Sequence, residues 1–152
     1  MKIAIGSDHA GYALKEAVRE YLVSRDYEVT DVGTDSGERS VDYPEFAYKV
    51  AVLVAEGKVD YGLLFCGTGI GMSIAANKVK GIRAANVWDV STAILAAKHN
   101  RANIITIGGR LFAPQRAIEM IDAFLSTPFE QRHTKRLNMI KDIEEGRIKQ
   151  AS

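Results

Sequence analysis

Tyr61-Gly62-Leu63-Leu64-Phe65-Cys66-Gly67-Thr68-Gly69-Ile70-Gly71 passes from an apolar run into a glycine-rich one, and the helix-forming segment Met72-Ser73-Ile74-Ala75-Ala76-Asn77-Lys78 follows at once. An unbroken apolar run as short as Tyr61 to Phe65 is the pattern of a strand covered on both faces. Strand, tight turn and helix in succession make one strand-helix unit. Outward from it, the runs Lys2 to Ser7, Glu28 to Val32, Ile82 to Val87 and Asn103 to Ile107 are also strand candidates, mostly of the same pattern, and none contains proline. Longer segments of helical period separate them. The alternation predicts an α/β fold built around a five-stranded parallel sheet.

The intervening helices have legible faces and ends. Leu14, Ala17, Val18, Tyr21 and Leu22 recur at helical spacing, with Lys15, Glu16, Arg19 and Glu20 assigned to the opposite, solvated face. Pro44 and Glu45 suit the first turn of a helix reaching about Glu56, and Asp89 suits the cap of one ending near His99. A further helix is expected over Pro114 to Leu125. Thr127-Pro128-Phe129 breaks that pattern before a charged helix from about Gln131 to Glu145, the core of a carboxy-terminal arm at about 130–147. With 152 residues, 47% of them hydrophobic, the chain suits one domain over 1–152. Twenty Lys and Arg against nineteen Asp and Glu leave a net charge of +1, which points to neither nucleic acid nor an anionic membrane as partner. Ile3-Ala4-Ile5 after Met1-Lys2 is too short for a secretory signal, so a cytoplasmic protein is expected. The single cysteine, Cys66, excludes an internal disulfide and suits a reducing compartment.

Parallel sheets bind ligands beyond the carboxyl ends of their strands, and the polar residues cluster there. In the loop Cys66 to Gly71, free amides at a helix start favour an anion, and glycine lets that backbone approach it closely. The spacing G-x-G-x-G is neither a dinucleotide fingerprint nor a P-loop, so a nucleotide is not the best reading. A tight strand-to-helix turn with no ligand is the plain alternative. A thiol beside such a cradle can act as nucleophile or as base, or be a small buried hydrophobe closing a core strand. Asp8 and His9 follow the first strand, where they either bind substrate or cap the next helix. His99 and Asn100 end a helix, and His133 reads as a surface residue. Arg110 follows the fifth strand, while Arg132 and Arg136 share a helix face four residues apart; together they make a phosphate site or a solvated basic face. Gly33 to Asp42, the longest polar connection, is a lid or a solvated loop.

Taken in order, Gly6-Ser7-Asp8-His9-Ala10-Gly11, Asp42-Tyr43-Pro44, Cys66 to Gly71 with Ala75-Ala76-Asn77-Lys78, Gly81-Ile82-Arg83-Ala84, His99-Asn100, Gly108-Gly109-Arg110 and Arg132-His133 closely resemble ribose-5-phosphate isomerase type B. That superfamily also holds galactose-6-phosphate and allose-6-phosphate isomerases. The resemblance implies a Rossmann-like three-layer α/β/α sandwich with an extra C-terminal helix. It also implies a homodimer or dimer of dimers sharing its sites, a small sugar phosphate as substrate, and no metal or organic cofactor. Cys66 then becomes the base that moves a proton between C1 and C2, with backbone amides of Gly67, Thr68, Gly69, Ile70 and Gly71 around the oxyanion. His99 with Thr68 opens the sugar ring, Asn100 contacts the oxygens at C1 and C2, and Asp8 and Tyr43 contact hydroxyls. His9, Arg110, Arg132 and Arg136 hold the phosphate. In a branch where glutamate replaces cysteine as base, it follows the last loop glycine; Met72 stands there in this chain. Six-carbon aldose phosphates are the alternative substrates. A non-catalytic nucleotide-binding or signalling module is the remaining alternative, and a phosphoacceptor receiver would want an aspartate where Cys66 stands.

Overall fold

The apolar run forms a central strand, β3 (Tyr61–Cys66), paired in parallel with β1 (Lys2–Ser7) on one side and β5 (Ile104–Gly108) on the other. The structure, a computed structural model, describes residues 1–147. Residues 148–152 of the expected domain lie outside the described residues. Outer strands β2 (Glu28–Asp31) and β4 (Ala84–Asn86) complete an all-parallel sheet of order β2-β1-β3-β5-β4. The helices are α1 (Tyr12–Ser24), α2 (Tyr43–Ala55), α3 (Ile70–Ala76), α4 (Val90–Lys98), α5 (Pro114–Ser126) and α6 (Thr134–Glu144), the last preceded by a single 3₁₀ turn at Gln131–His133. This is the expected three-layer sandwich with its extra C-terminal helix.

Period-two alternation sorts the strand side chains between the layers. Ile3, Ile5, Leu63, Phe65, Ile105 and Ile107 pack under α1, α4 and α5, whereas Ala4, Leu64, Cys66 and Ile104 pack under α2 and α3. Each fully buried large side chain contributes about 1.5–3 kcal/mol relative to exposure. Helices that carry the chain in opposite directions across the sheet lie on opposite faces, as right-handed crossovers require. The reversal falls between β1 and β3, where open parallel sheets form their ligand crevice.

Two local expectations change. β4 is shorter than Ile82 to Val87 and starts only at Ala84, since Arg83 N–H goes to Asn103 Oδ1 at 2.8 Å before the ladder begins. Asn77 then covers this edge strand with two side-chain bonds to Ala84, at 2.8 and 2.9 Å, occupying the backbone groups that an exposed edge would present. Lys15 is not on the solvated face. Its side chain is 1% exposed, and its ammonium donates to both Asp31 carboxylate oxygens at 2.9 and 2.8 Å, tying α1 to the end of β2. A long flexible side chain on the flank of the apolar stripe reached a carboxylate that only the folded chain brings near.

The start of α4 is fixed as expected. Asp89 accepts from Thr92 N–H at 2.7 Å, and the Thr92 hydroxyl reaches back to Asp89 N–H, a complete capping box. Asp89→Ala is expected to lower unfolding free energy by about 1 kcal/mol, read as a reduced urea midpoint at unchanged slope.

Candidate active site

Cys66 ends β3, the strand between β1 and β5, at the edge where the crevice opens, and it is nearly buried, its sulfur accepting a hydrogen bond from Gly69 N–H at 3.2 Å. An amide aimed at sulfur solvates negative charge on it. Three further bonds fix the loop. Cys66 C=O accepts from Gly109 N–H at 2.7 Å, Gly67 C=O from Arg110 N–H at 3.1 Å, and Gly69 C=O from the Thr106 hydroxyl at 2.7 Å. Gly69 has φ +84°, and a Cβ there would lie 2.5 Å from Asn86 Oδ1 and 3.0 Å from Ile107 backbone, so only glycine fits. Thr106 and Asn86 were not singled out from sequence. The signal for Thr106 is a hydroxyl inside the buried run Ile104 to Gly108.

Other predicted residues converge on the same edge. Asp8 is buried, its backbone N–H bonded to Phe65 C=O at 3.2 Å and its Oδ1 accepting from Gly11 N–H at 3.0 Å, so it shapes the turn into α1. His9 Nδ1 accepts from Val41 N–H at 3.2 Å, which leaves the proton of the neutral ring on Nε2. That bond ties down the far end of the Gly33 to Asp42 connection, whose near end is tied by Ser7 N–H to Gly33 C=O and Thr34 N–H to Ser7 C=O, both at 2.8 Å. Tyr43 opens α2 with its ring against Gly71, where a Cβ would come within 2.6 Å of it. Thr68 is exposed, its hydroxyl accepting from Ile70 N–H at 3.2 Å, and the Arg110 side chain packs on Gly67. Met72, where a glutamate base would stand, is fully buried in the core beneath the loop.

His99, Asn100, Arg132 and Arg136 are not brought to this edge. Cys66 pairs with Gly108 at the carboxyl end of β5, whereas His99 and Asn100 precede Ile104 at its amino end. The strand between spans about 13 Å. A second polar cluster forms there, because Glu130 N–H donates to Lys98 C=O at 3.0 Å and brings the carboxy-terminal arm to the end of α4. Glu130 holds Lys98 at 3.2 Å and Arg132 at 2.6 Å, and these cations, Arg132 foremost, hold its carboxyl down to about 2. His133 is not a surface residue but 6% exposed, its ring tilted against His99 with centroids 4.6 Å apart. Arg136 donates to His133 Nδ1 at 2.8 Å. Burial first, then Arg132, His99 and Arg136, pushes the His133 imidazole below its ordinary range.

One chain thus carries two separate polar clusters, a thiol with an amide cradle at one sheet edge and paired histidines with arginines at the other. Residues 3–140 match the family model described as Ribose/Galactose Isomerase. The chain belongs to this family. It is 46% identical over 147 residues to ribose-5-phosphate isomerase B of Escherichia coli (strain K12), covering 96% of this chain and 98% of that one. Its fold matches the ribose-5-phosphate isomerase B of Clostridium thermocellum with a TM-score of 0.93 and 47% identity, covering 96% of this chain and 99% of that one. The Mycoplasma genitalium ribose-5-phosphate isomerase B, solved with bound ribulose 5-phosphate, matches with a TM-score of 0.91 and 39% identity over 95% of this chain and 96% of that one. As a member of the family, this protein is an aldose-ketose isomerase acting on sugar phosphates.

Gly69→Ala is expected to cost about 1–3 kcal/mol of stability by denaturant titration. Because the folded-state affinity of His133 for a proton is lowered, the unfolded chain binds more protons as pH falls below the ordinary imidazole range, and stability declines there. Between about pH 7 and 5, wild-type stability should therefore fall more steeply than that of His133→Phe.

Proposed function

We propose that the protein interconverts ribose 5-phosphate and ribulose 5-phosphate, with Cys66 as the base and each active site shared between two copies of the chain. The observation carrying this reading is the separation of the two polar clusters by the length of β5, with complementary functional groups at each end. In the open-chain aldose, the Cys66 thiolate takes the proton from C2. The electron pair forms a C1–C2 double bond and charge passes to the C1 oxygen, facing the loop amides other than those of Gly69 and Ile70, which already donate to the Cys66 sulfur and the Thr68 hydroxyl. Return of the proton to C1, with transfer of the hydroxyl proton from the C2 oxygen to the C1 oxygen, gives the ketose. No external oxidant or reductant enters. Asp8 and Tyr43 take sugar hydroxyls, and His9 and Arg110 one side of the phosphate.

The partner subunit is read as supplying His99 for ring opening beside Thr68, Asn100 for the C1 and C2 oxygens, and Arg132 and Arg136 for the phosphate. A docking face supports this. α6 buries none of its own residues, and Arg136, Met139, Ile140 and Ile143 lie along one side of it, the last three 47%, 46% and 59% exposed. Beside the Cys66 loop, Ile70 and Ile74 of α3 are also exposed. In a two-fold dimer each such patch meets the other twice, and Arg136 rides on the apolar face that would dock. Among the described residues no helix is long and apolar enough to cross a membrane. A base that works as a free thiolate fits a reducing compartment, the cytoplasm in this reading.

A coupled assay over ribose, allose and galactose phosphates should give its highest kcat/KM with ribose 5-phosphate; a hexose phosphate in first place would overturn the substrate assignment. Cys66→Ala is expected to lose at least about 100-fold in kcat, and wild-type turnover in that variant would remove Cys66 as base. Mixing inactive Cys66→Ala and His99→Asn chains should regain about a quarter of wild-type activity, since half the random dimers are mixed and each holds one intact site. No regain would contradict sharing.

A further inference from the structure

His133 carries a buried polar atom that the mechanism above does not use. Its ring is 6% exposed, lies against His99 and sits in the turn between Glu130 and α6. A guanidinium can only donate, so the 2.8 Å contact from Arg136 Nη1 makes His133 Nδ1 an acceptor and puts the ring proton on Nε2. That N–H is buried with no acceptor among the described residues. Every charged or titratable group around the ring works against a second proton except one. His99 at the end of α4, Arg132 in the same turn and Arg136 on α6 oppose it, and Glu130, which favours it, is already held by Arg132 and Lys98. A neutral imidazole here touches two groups assigned to the substrate, the His99 ring by its face and the Arg136 guanidinium by Nδ1.

We propose that His133 is a positioning residue of the shared site, setting the Arg136 guanidinium through Nδ1 and the His99 ring through the tilted ring contact. The proposal rests on the assignment of His99 to ring opening and Arg136 to phosphate. The two roles are chemically separable. Phenylalanine keeps a flat ring against His99 but offers no acceptor to Arg136. Asparagine keeps an acceptor oxygen near the place of Nδ1 but removes the ring. A guanidinium released from a charge-assisted bond loses its fixed aim, which weakens phosphate binding; a histidine released from its ring contact samples other rotamers, which slows ring opening.

The test is steady-state isomerase kinetics on wild type, His133→Phe and His133→Asn, with melting temperature and sedimentation recorded for each. His133→Phe is expected to raise KM for ribose 5-phosphate about 10-fold with kcat within about 2-fold. His133→Asn is expected to lower kcat about 10-fold with KM within about 2-fold. Histidine ring resonances give an independent readout, since the chain has three histidines. The His99 signals should move on loss of the ring current in His133→Asn and stay close to wild type in His133→Phe. Equal losses in both variants that track melting temperature, or no change in either parameter, would overturn the proposal and leave His133 a packing residue. Absence of isomerase turnover in wild type would instead strike the reaction assignment, so the two failures are distinguishable.

Discussion

The hydrogen bond from the Thr106 hydroxyl to the Gly69 carbonyl, 2.7 Å long and buried, holds the loop on which the chemistry depends. It anchors a residue whose backbone lies in the left-handed region and whose Cα has no room for a side chain. With Gly69 fixed there, its N–H points to the Cys66 sulfur and α3 begins at Ile70. The parallel pairing of β3 with β5 puts Thr106 within reach, so the sheet register itself places the donor. A conformation open to glycine is thereby held in place by a satisfied polar contact from β5.

The same sheet imposes a separation. Strand-helix units return the chain to the amino edge at the end of every helix, so a residue ending α4 stands a full strand length from one ending β3. His99 and Cys66 cannot meet within one such layer order. The carboxy-terminal arm adds Arg132, His133 and Arg136 to the His99 end and leaves the apolar side of α6 uncovered. On the proposed reading dimerisation is a condition of the site, because the group assigned to ring opening and the base assigned to the proton would come from different chains.

Much of this is legible in the sequence. Strand positions follow from mostly unbroken apolar runs, and the cap at Asp89 from its place before a helical period. Asp8, Cys66 and Arg110 stand out because each ends or follows an apolar stretch with polar or glycine-rich sequence, whereas Tyr43 comes only from the resemblance to the family. What stayed hidden depended on contacts between distant segments. Lys15 has the helical phase of a solvated residue until Asp31, at the end of another strand, draws it inward. His133 sits in a charged, polar stretch, and its burial comes from His99, thirty-four positions earlier, which periodicity cannot register. Ile82 and Val87 have strand character, yet the Asn103 side chain takes the Arg83 amide and the strand starts only at Ala84.

The most direct test of the shared site is specific activity measured across dilution, with the dimer fraction followed by sedimentation in the same buffer. The account predicts that turnover per chain falls in proportion to the dimer fraction, because a single chain holds Cys66 and His99 at opposite sheet edges. Full turnover per chain from a species that sediments as a monomer would contradict it.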